Sequence, residues 1–257
     1  MNTSLITCLT CLSCLAGYTI GQLLLQFLPS THYQHSDARD VLKTATGTIG
    51  TLVALVLGLL VSSAKSTYDK SVETMNESGA KIIQIDRLLT RYGPEAKQAQ
   101  QTIREYLKAA VERIAHGALA LDVTDKKMSK ERHLRMEDSL NQPIMSLEPS
   151  TPQQVEIRDQ ARGLMASLAD ARWLMIERAS NPLPSAFLVL LFFWLLVLFA
   201  GFGLLSPRNP TIYGSFIICS LSMAGAVFLI LEMSQPLSGA LRVSTAPLQK
   251  ALELMDK

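Results

Sequence analysis

The stretch TGTIGTLVALVLGLLVSSAKSTYD, Thr46 to Asp69, decides the fold. It carries no charge until Lys65, and its Leu and Val content suits a helix crossing lipid, which needs about 20 mostly apolar residues. Yet Gly47, Thr51, Ala54, Gly58, Ser62 and Lys65 recur every three or four positions. At 3.6 residues per turn they share one helix face, within an arc of about 80°. Two uses of such a face compete. Small residues let membrane helices approach closely. In a ring of subunits the same face encloses a narrow, weakly polar path, with hydroxyls that touch ions and an apolar constriction that gates by dewetting.

Working outward, the 257-residue chain has three further charge-free runs, Leu5–Leu28, Asn181–Pro207 and Asn209–Leu231, beside Thr44–Ala64. Each is long enough to span a bilayer. The first lacks the basic flank and small-x-small cleavage site of a signal peptide and reads as a retained helix. The expectation is an all-α, four-helix transmembrane protein with a cytoplasmic helical region inserted between the second and third membrane helices. Its parts are 1–64 (spans at about 5–28 and 44–64), the helical region 65–180, 181–233 (spans at about 183–205 and 210–232), and a tail, 234–257.

Orientation follows from basic residues. Of 24 Lys and Arg, 18 lie between Lys65 and Ser180, and the tail adds Arg242, Lys250 and Lys257. The positive-inside rule puts both termini and the middle region in the cytoplasm, with the chain in the inner (plasma) membrane. A net charge of +2 implies no nucleic-acid partner.

The middle region reads as helices. No breaker follows Ala64, so the second membrane helix runs on as one rod, with Val72, Met75, Gly79, Ile82 and Leu89 near one face. Gly93 ends it and Pro94 opens the next helix. Ile103, Leu107, Ala110, Ile114 and Leu121 mark that helix, and Ile157, Ala161, Leu164, Leu168, Ala171 and Met175 another. Thr151–Gln154 reads as a capping box. The charge-dense 122–150 segment reads as a linker or peripheral piece with partial helix and no core role. Pro247 opens a last amphipathic helix.

Catalytic signatures are absent: there is no G-x-S-x-G, no phosphate-binding glycine loop and no H-E-x-x-H, so an enzyme is not expected and no cofactor is implied. Cys8, Cys11 and Cys14 are spaced like an iron–sulfur run but lack a fourth ligand in a helix that reads as membrane, so they and Cys219 read as packing residues. His32 and His35, near Asp37 and Asp40, are weak metal candidates in a short polar loop. The spans hold no ionisable group at their centres, which disfavours a proton relay. Glu232, at the inner end of the fourth run, is a candidate for a pore mouth, as is Lys65 for the exit of the second helix; capping or pairing is the structural alternative for Glu232.

Four segments together resemble a known family: TGTIGTLVALVLGLLVSSAKSTYD, DRLLTRYGPEAK, ARWLMIERASNPLPSAFLVLLFFWLLVLFAGFGLLSPRNPT and AGAVFLILEMSQPLSGALRVSTAPLQKAL. The most specific pieces are Pro207-Arg208-Asn209 and the Glu232…Pro236…Gly239 run. From about His35 to the C-terminus the chain resembles the bestrophin-like membrane proteins, a largely bacterial group related to the bestrophin anion channels. The resemblance implies a homo-oligomer, pentameric as bestrophins are, that passes inorganic ions, with the second helix lining the pore. Where the family often reads Glu-Leu-Asp-x-Pro-Phe, this chain has Glu232-Met233-Ser234-Gln235-Pro236-Leu237, so a carboxylate is missing at Ser234. No dense acidic cluster resembles the bestrophin calcium clasp, so calcium gating is not implied. The alternative is a non-conducting scaffold or sensor whose cytoplasmic helices bind a partner, with the 122–150 segment as the docking element.

Overall fold

A computed structural model describes residues 3–27, 36–115, 142–180, 185–237 and 240–256. Among these the secondary structure is helical throughout: α1 (Thr3–Phe27), α2 (Ser36–Tyr92), a 3-10 turn (Pro94–Ala96), α3 (Lys97–Ala115), α4 (Pro152–Ser180), α5 (Ser185–Leu205), α6 (Pro210–Met233) and α7 (Ala246–Met255). The chain divides into two compact units. One comprises residues 1–66 and 183–234, the other 67–182 and 235–257.

In the first unit, α1, α5, α6 and the first half of α2 carry the four stretches long and apolar enough to cross a membrane. Glycine sets how α1 meets α5. A Cβ on Gly17 would collide with the Leu196 carbonyl, one on Gly21 with the Ala200 carbonyl, and one on Gly203 with the Tyr18 carbonyl. These obstacles are backbone and cannot rotate away, so the two helices touch main chain to main chain, as small residues permit in membranes. Tyr18, Phe199, Phe202 and Phe216 fill the space beside this contact, with ring centroids 4.5–6.3 Å apart.

The α5–α6 corner explains the Pro-Arg-Asn triplet. Pro207 follows the last turn of α5. Arg208 reaches Gln22 of α1, Nε to Oε1 at 3.4 Å. Asn209 caps α6, its Oδ1 accepting from the Thr211 N–H at 3.1 Å, with Pro210 in the first turn. Gln22 is buried, and its amide donates to the Gly203 and Ser206 carbonyls at 2.9 and 3.0 Å. It thereby satisfies carbonyls that the end of α5 leaves open.

The second unit has its own core. Met75, Ile82, Ile85, Leu89 and Tyr92 of α2 meet Ala99, Ile103, Leu107 and Val111 of α3, Ile157, Ala161 and Met165 of α4, and Leu248, Ala251 and Met255 of α7. Gly93, at φ 124°, occupies the left-handed region that favours glycine and turns the chain into the Pro94 helix start. The α4 cap forms with a variation. The Gln154 N–H donates to Thr151 Oγ1 at 3.2 Å, and Gln154 Oε1 accepts from the Ser150 N–H at 2.8 Å, one residue earlier than in the usual box. The Gln154 amide also donates to the Tyr92 carbonyl at 3.1 Å, closing the C-terminus of α2.

The 142–150 end of the charge-dense segment corrects the reading of that stretch as having no core role. It forms a helical turn whose Ile144 and Leu147 are buried in the core, because two apolar side chains three residues apart land on one side of the turn. The rest of that segment up to 141 lies outside the described residues, as do His32, His35, His116, Leu121, His133 and Gly239.

Candidate functional site

The buried side of the first half of α2 is set by Thr46, Val53, Leu60 and Ala64. Thr46 seats against Gly201 and Gly50 against the Leu198 side chain, so this side faces α5. The opposite side is the one the spacing singled out. Gly47, Thr51, Ala54, Gly58, Ser62 and Lys65 are all exposed in the chain. A Cβ added to Gly47 or Gly58 would meet nothing within 4 Å. Their smallness is therefore not used for packing within the chain, where Gly17, Gly21, Gly201 and Gly203 do that work.

Its hydroxyls are not equivalent. Thr51 Oγ1 donates to the Gly47 carbonyl at 3.0 Å, and Thr44 and Thr48 at the start of the span donate back to Asp40 and Thr44 at 2.8 and 2.9 Å. Their protons are spent inside the helix, and lone pairs face outward. The Ser62 hydroxyl has no partner among the described residues, so its proton can be offered outward. Lys65 follows one turn later and already has an interaction partner. Of the apolar stretch of α2, 17% is buried, against 28–39% for the other three spans, which makes it the least covered.

Glu232 does not join this face. Its side chain is 2% exposed, on the buried side of α6 with Val227 and Ile230, and it has a partner. Ser234 caps α6 from within, its hydroxyl donating to the Ile230 carbonyl at 2.7 Å. The cysteines separate. Cys14 is buried in the core of the first unit, Cys11 Sγ lies 3.3 Å from Ser220 Oγ, and Cys8 and Cys219 are exposed. Among the described residues no group of three or more His, Cys, Asp and Glu side chains is gathered to hold a metal.

Gly17, Gly21, Gln22, Thr46 and Gly201 were not singled out in the sequence. Gly17 and Gly21 form G-x-x-x-G, a recognisable signal for close helix contact, and Gln22 is a lone amide in an apolar run. Thr46 carries no such signal, since nothing in the sequence names Gly201 as its partner.

Four membrane-length apolar helices joined to a helical polar unit define an all-helical membrane protein. The chain belongs to the bestrophin-like family: it matches the Bestrophin-like domain over residues 14–248. Its fold is similar to the crystal structure of a mutated bacterial bestrophin homolog from Klebsiella pneumoniae, with a TM-score of 0.65 at 13% identity, covering 99% of this chain and 98% of the other. No curated protein matches it significantly. The resemblance read from the four sequence segments is thus borne out at the level of family and fold.

Proposed function

We propose that the protein is a homo-oligomeric ion channel, anion-conducting, in which copies of α2 surround the path with the face Gly47, Thr51, Ala54, Gly58 and Ser62. One observation carries this reading: that face is small, hydroxyl-bearing and unpacked within its own chain. A helix that needs small residues neither for its own fold nor for lipid, which accommodates Leu equally well, uses them against a second copy or around an axis. The low burial of α2 leaves room for such neighbours. The anion preference rests on Ser62, whose free O–H can donate to an anion, and on Lys65 one turn beyond. The buried Glu232 would not project its carboxylate into such a path. The reading keeps both termini and the polar unit in the cytoplasm, from the distribution of Lys and Arg. Family membership agrees with it.

The scaffold reading loses part of its motive, because the 142–150 end of its docking segment is built into the polar unit's own core. The test is flux. Purified protein reconstituted in liposomes should form a ring and pass chloride, and Gly58→Leu should stop the flux while the protein stays folded. A ring that passes neither anions nor cations, and in which Gly58 and Ser62 substitutions change nothing, would overturn the proposal.

A further inference from the structure

In the polar unit, the end of α2 and the middle of α4 enclose an open groove of about 600 Å³, lined by Gln84, Arg87, Leu88 and Arg91 on one side and Gln160, Gly163 and Leu164 on the other. That volume lies in the range of small-molecule sites, about 300–1,000 Å³. Two features of the groove lack an explanation within the chain.

The first is charge. Arg87 and Arg91 stand four residues apart on one helix face, a like-charge spacing that destabilises a helix. Neither has a partner among the described residues. Of the nearby acidic groups, Asp86 accepts from Gln100 at 3.1 Å and Glu156 accepts from Gln160 at 3.2 Å.

The second is Gly163. It lies inside α4, where glycine costs about 1 kcal/mol relative to alanine. Yet a Cβ there would meet nothing within 4 Å. No neighbour in the chain requires the missing side chain. Gly163 lines the groove beside Leu164, and its missing side chain leaves that space empty.

We infer that this groove binds an organic phosphate, with the oxyanion held by the guanidinium groups of Arg87 and Arg91 and the apolar part laid against Leu88 and Leu164 across Gly163. Guanidinium forks match phosphate oxygens in pairs, and Gln84 and Gln160 line the same groove. A bound dianion removes the repulsion between the two arginines. The inference does not depend on ion conduction.

The experiment uses the full chain with hexyl phosphate and inorganic phosphate in neutral phosphatidylcholine nanodiscs, and with phosphatidic acid nanodiscs as the lipid source. Hexyl phosphate should raise the melting temperature saturably and bind more tightly than inorganic phosphate. A saturable response to hexyl phosphate in neutral nanodiscs supports the site, and a response only to phosphatidic acid overturns it, because binding would then arise at the membrane and not in this groove. Arg87→Gln with Arg91→Gln should weaken binding at least about tenfold. Gly163→Leu should abolish it while the unliganded melting temperature holds or rises. No saturable response to either source, or a response that survives both sets of substitutions, overturns the inference. So does dissociation of the oligomer by these substitutions, since the groove would then be filled by a neighbouring copy.

Discussion

Thr46 and Gly201 fit as peg and gap: a Cβ on Gly201 would come to 2.5 Å from Thr46 Oγ1 and 3.1 Å from its Cγ2. Thr46 cannot easily yield, because its hydroxyl already donates to the Leu42 carbonyl at 2.8 Å. On the other side of the same helix, Gly58 has open space. One helix thus carries small-residue positions with opposite physical roles.

Gly201→Ala should therefore destabilise the folded chain by about 1–3 kcal/mol, the usual cost of overpacking. Gly58→Ala meets no atom of its own chain, and its higher helix propensity should leave stability unchanged or raise it by up to about 1 kcal/mol. Thermal unfolding in detergent, with the monomer isolated by dilution, measures both. Equal losses would mean that the Gly58 side is packed after all.

Gln22 holds the end of α5 through two carbonyls and is itself held by Arg208. Gln22→Leu keeps the volume and removes the donors. It should cost about 1–3 kcal/mol for each carbonyl left buried without a partner. Arg208→Gln should cost less, because Arg208 lies in the exposed corner and its contacts are long, at 3.4 and 3.5 Å. Unfolding midpoints of the two variants give the order, and the reverse order would make Arg208 the anchor.

The helices were legible because their signals are local. Charge-free runs of membrane length marked α1, α5 and α6, the absence of proline from Ser36 to Tyr92 let α2 run on, and Thr151–Gln154 announced the start of α4. Which face of α2 is buried was not legible. Thr46 and Gly50 are no more apolar than Gly47 and Thr51, and only the position of α5 separates them. Glu232 shows the same limit, since a carboxylate at the end of an apolar run gives no sign of pointing inward. The core role of Ile144 and Leu147 was hidden by the charges around them, which dominate any window average but not the turn itself.

Asp86 lies in the polar unit, well beyond the apolar run that ends at Ala64. Burial raises its carboxyl above the ordinary 3.8, against the opposing pull of the Gln100 amide and the Arg104 charge. A carboxyl with a folded pKa above its unfolded one holds its proton more tightly when folded. Its ionisation therefore favours the unfolded chain: the penalty is full above the raised value and fades as pH falls through it towards 3.8. Asp86→Asn keeps the oxygen that accepts from Gln100 and cannot ionise. It should be more stable than the parent at neutral pH, with the gain shrinking through the mildly acidic range. Melting temperature against pH for both proteins decides it. A loss at neutral pH would show that the attraction to Gln100 and Arg104 outweighs burial.

The hydroxyls on the exposed face of α2 give the sharpest test of anion conduction. Thr51 donates into its own helix at 3.0 Å, so only its lone pairs face outward, whereas the Ser62 proton is uncommitted. If Ser62 donates to a passing anion, Ser62→Ala should lower chloride flux several-fold, since a hydrogen bond to a charged group is worth about 1.5–3 kcal/mol and part of it is exchanged with water. Thr51→Val keeps the shape and removes a hydroxyl whose proton is already used, so chloride flux should change little. Stopped-flow chloride efflux from liposomes, with the oligomer checked by mass photometry, separates the two variants. A larger loss of chloride flux for Thr51→Val than for Ser62→Ala would mean that the Ser62 proton is not what meets the anion, and a parent protein that passes potassium in preference to chloride would make the path one for cations.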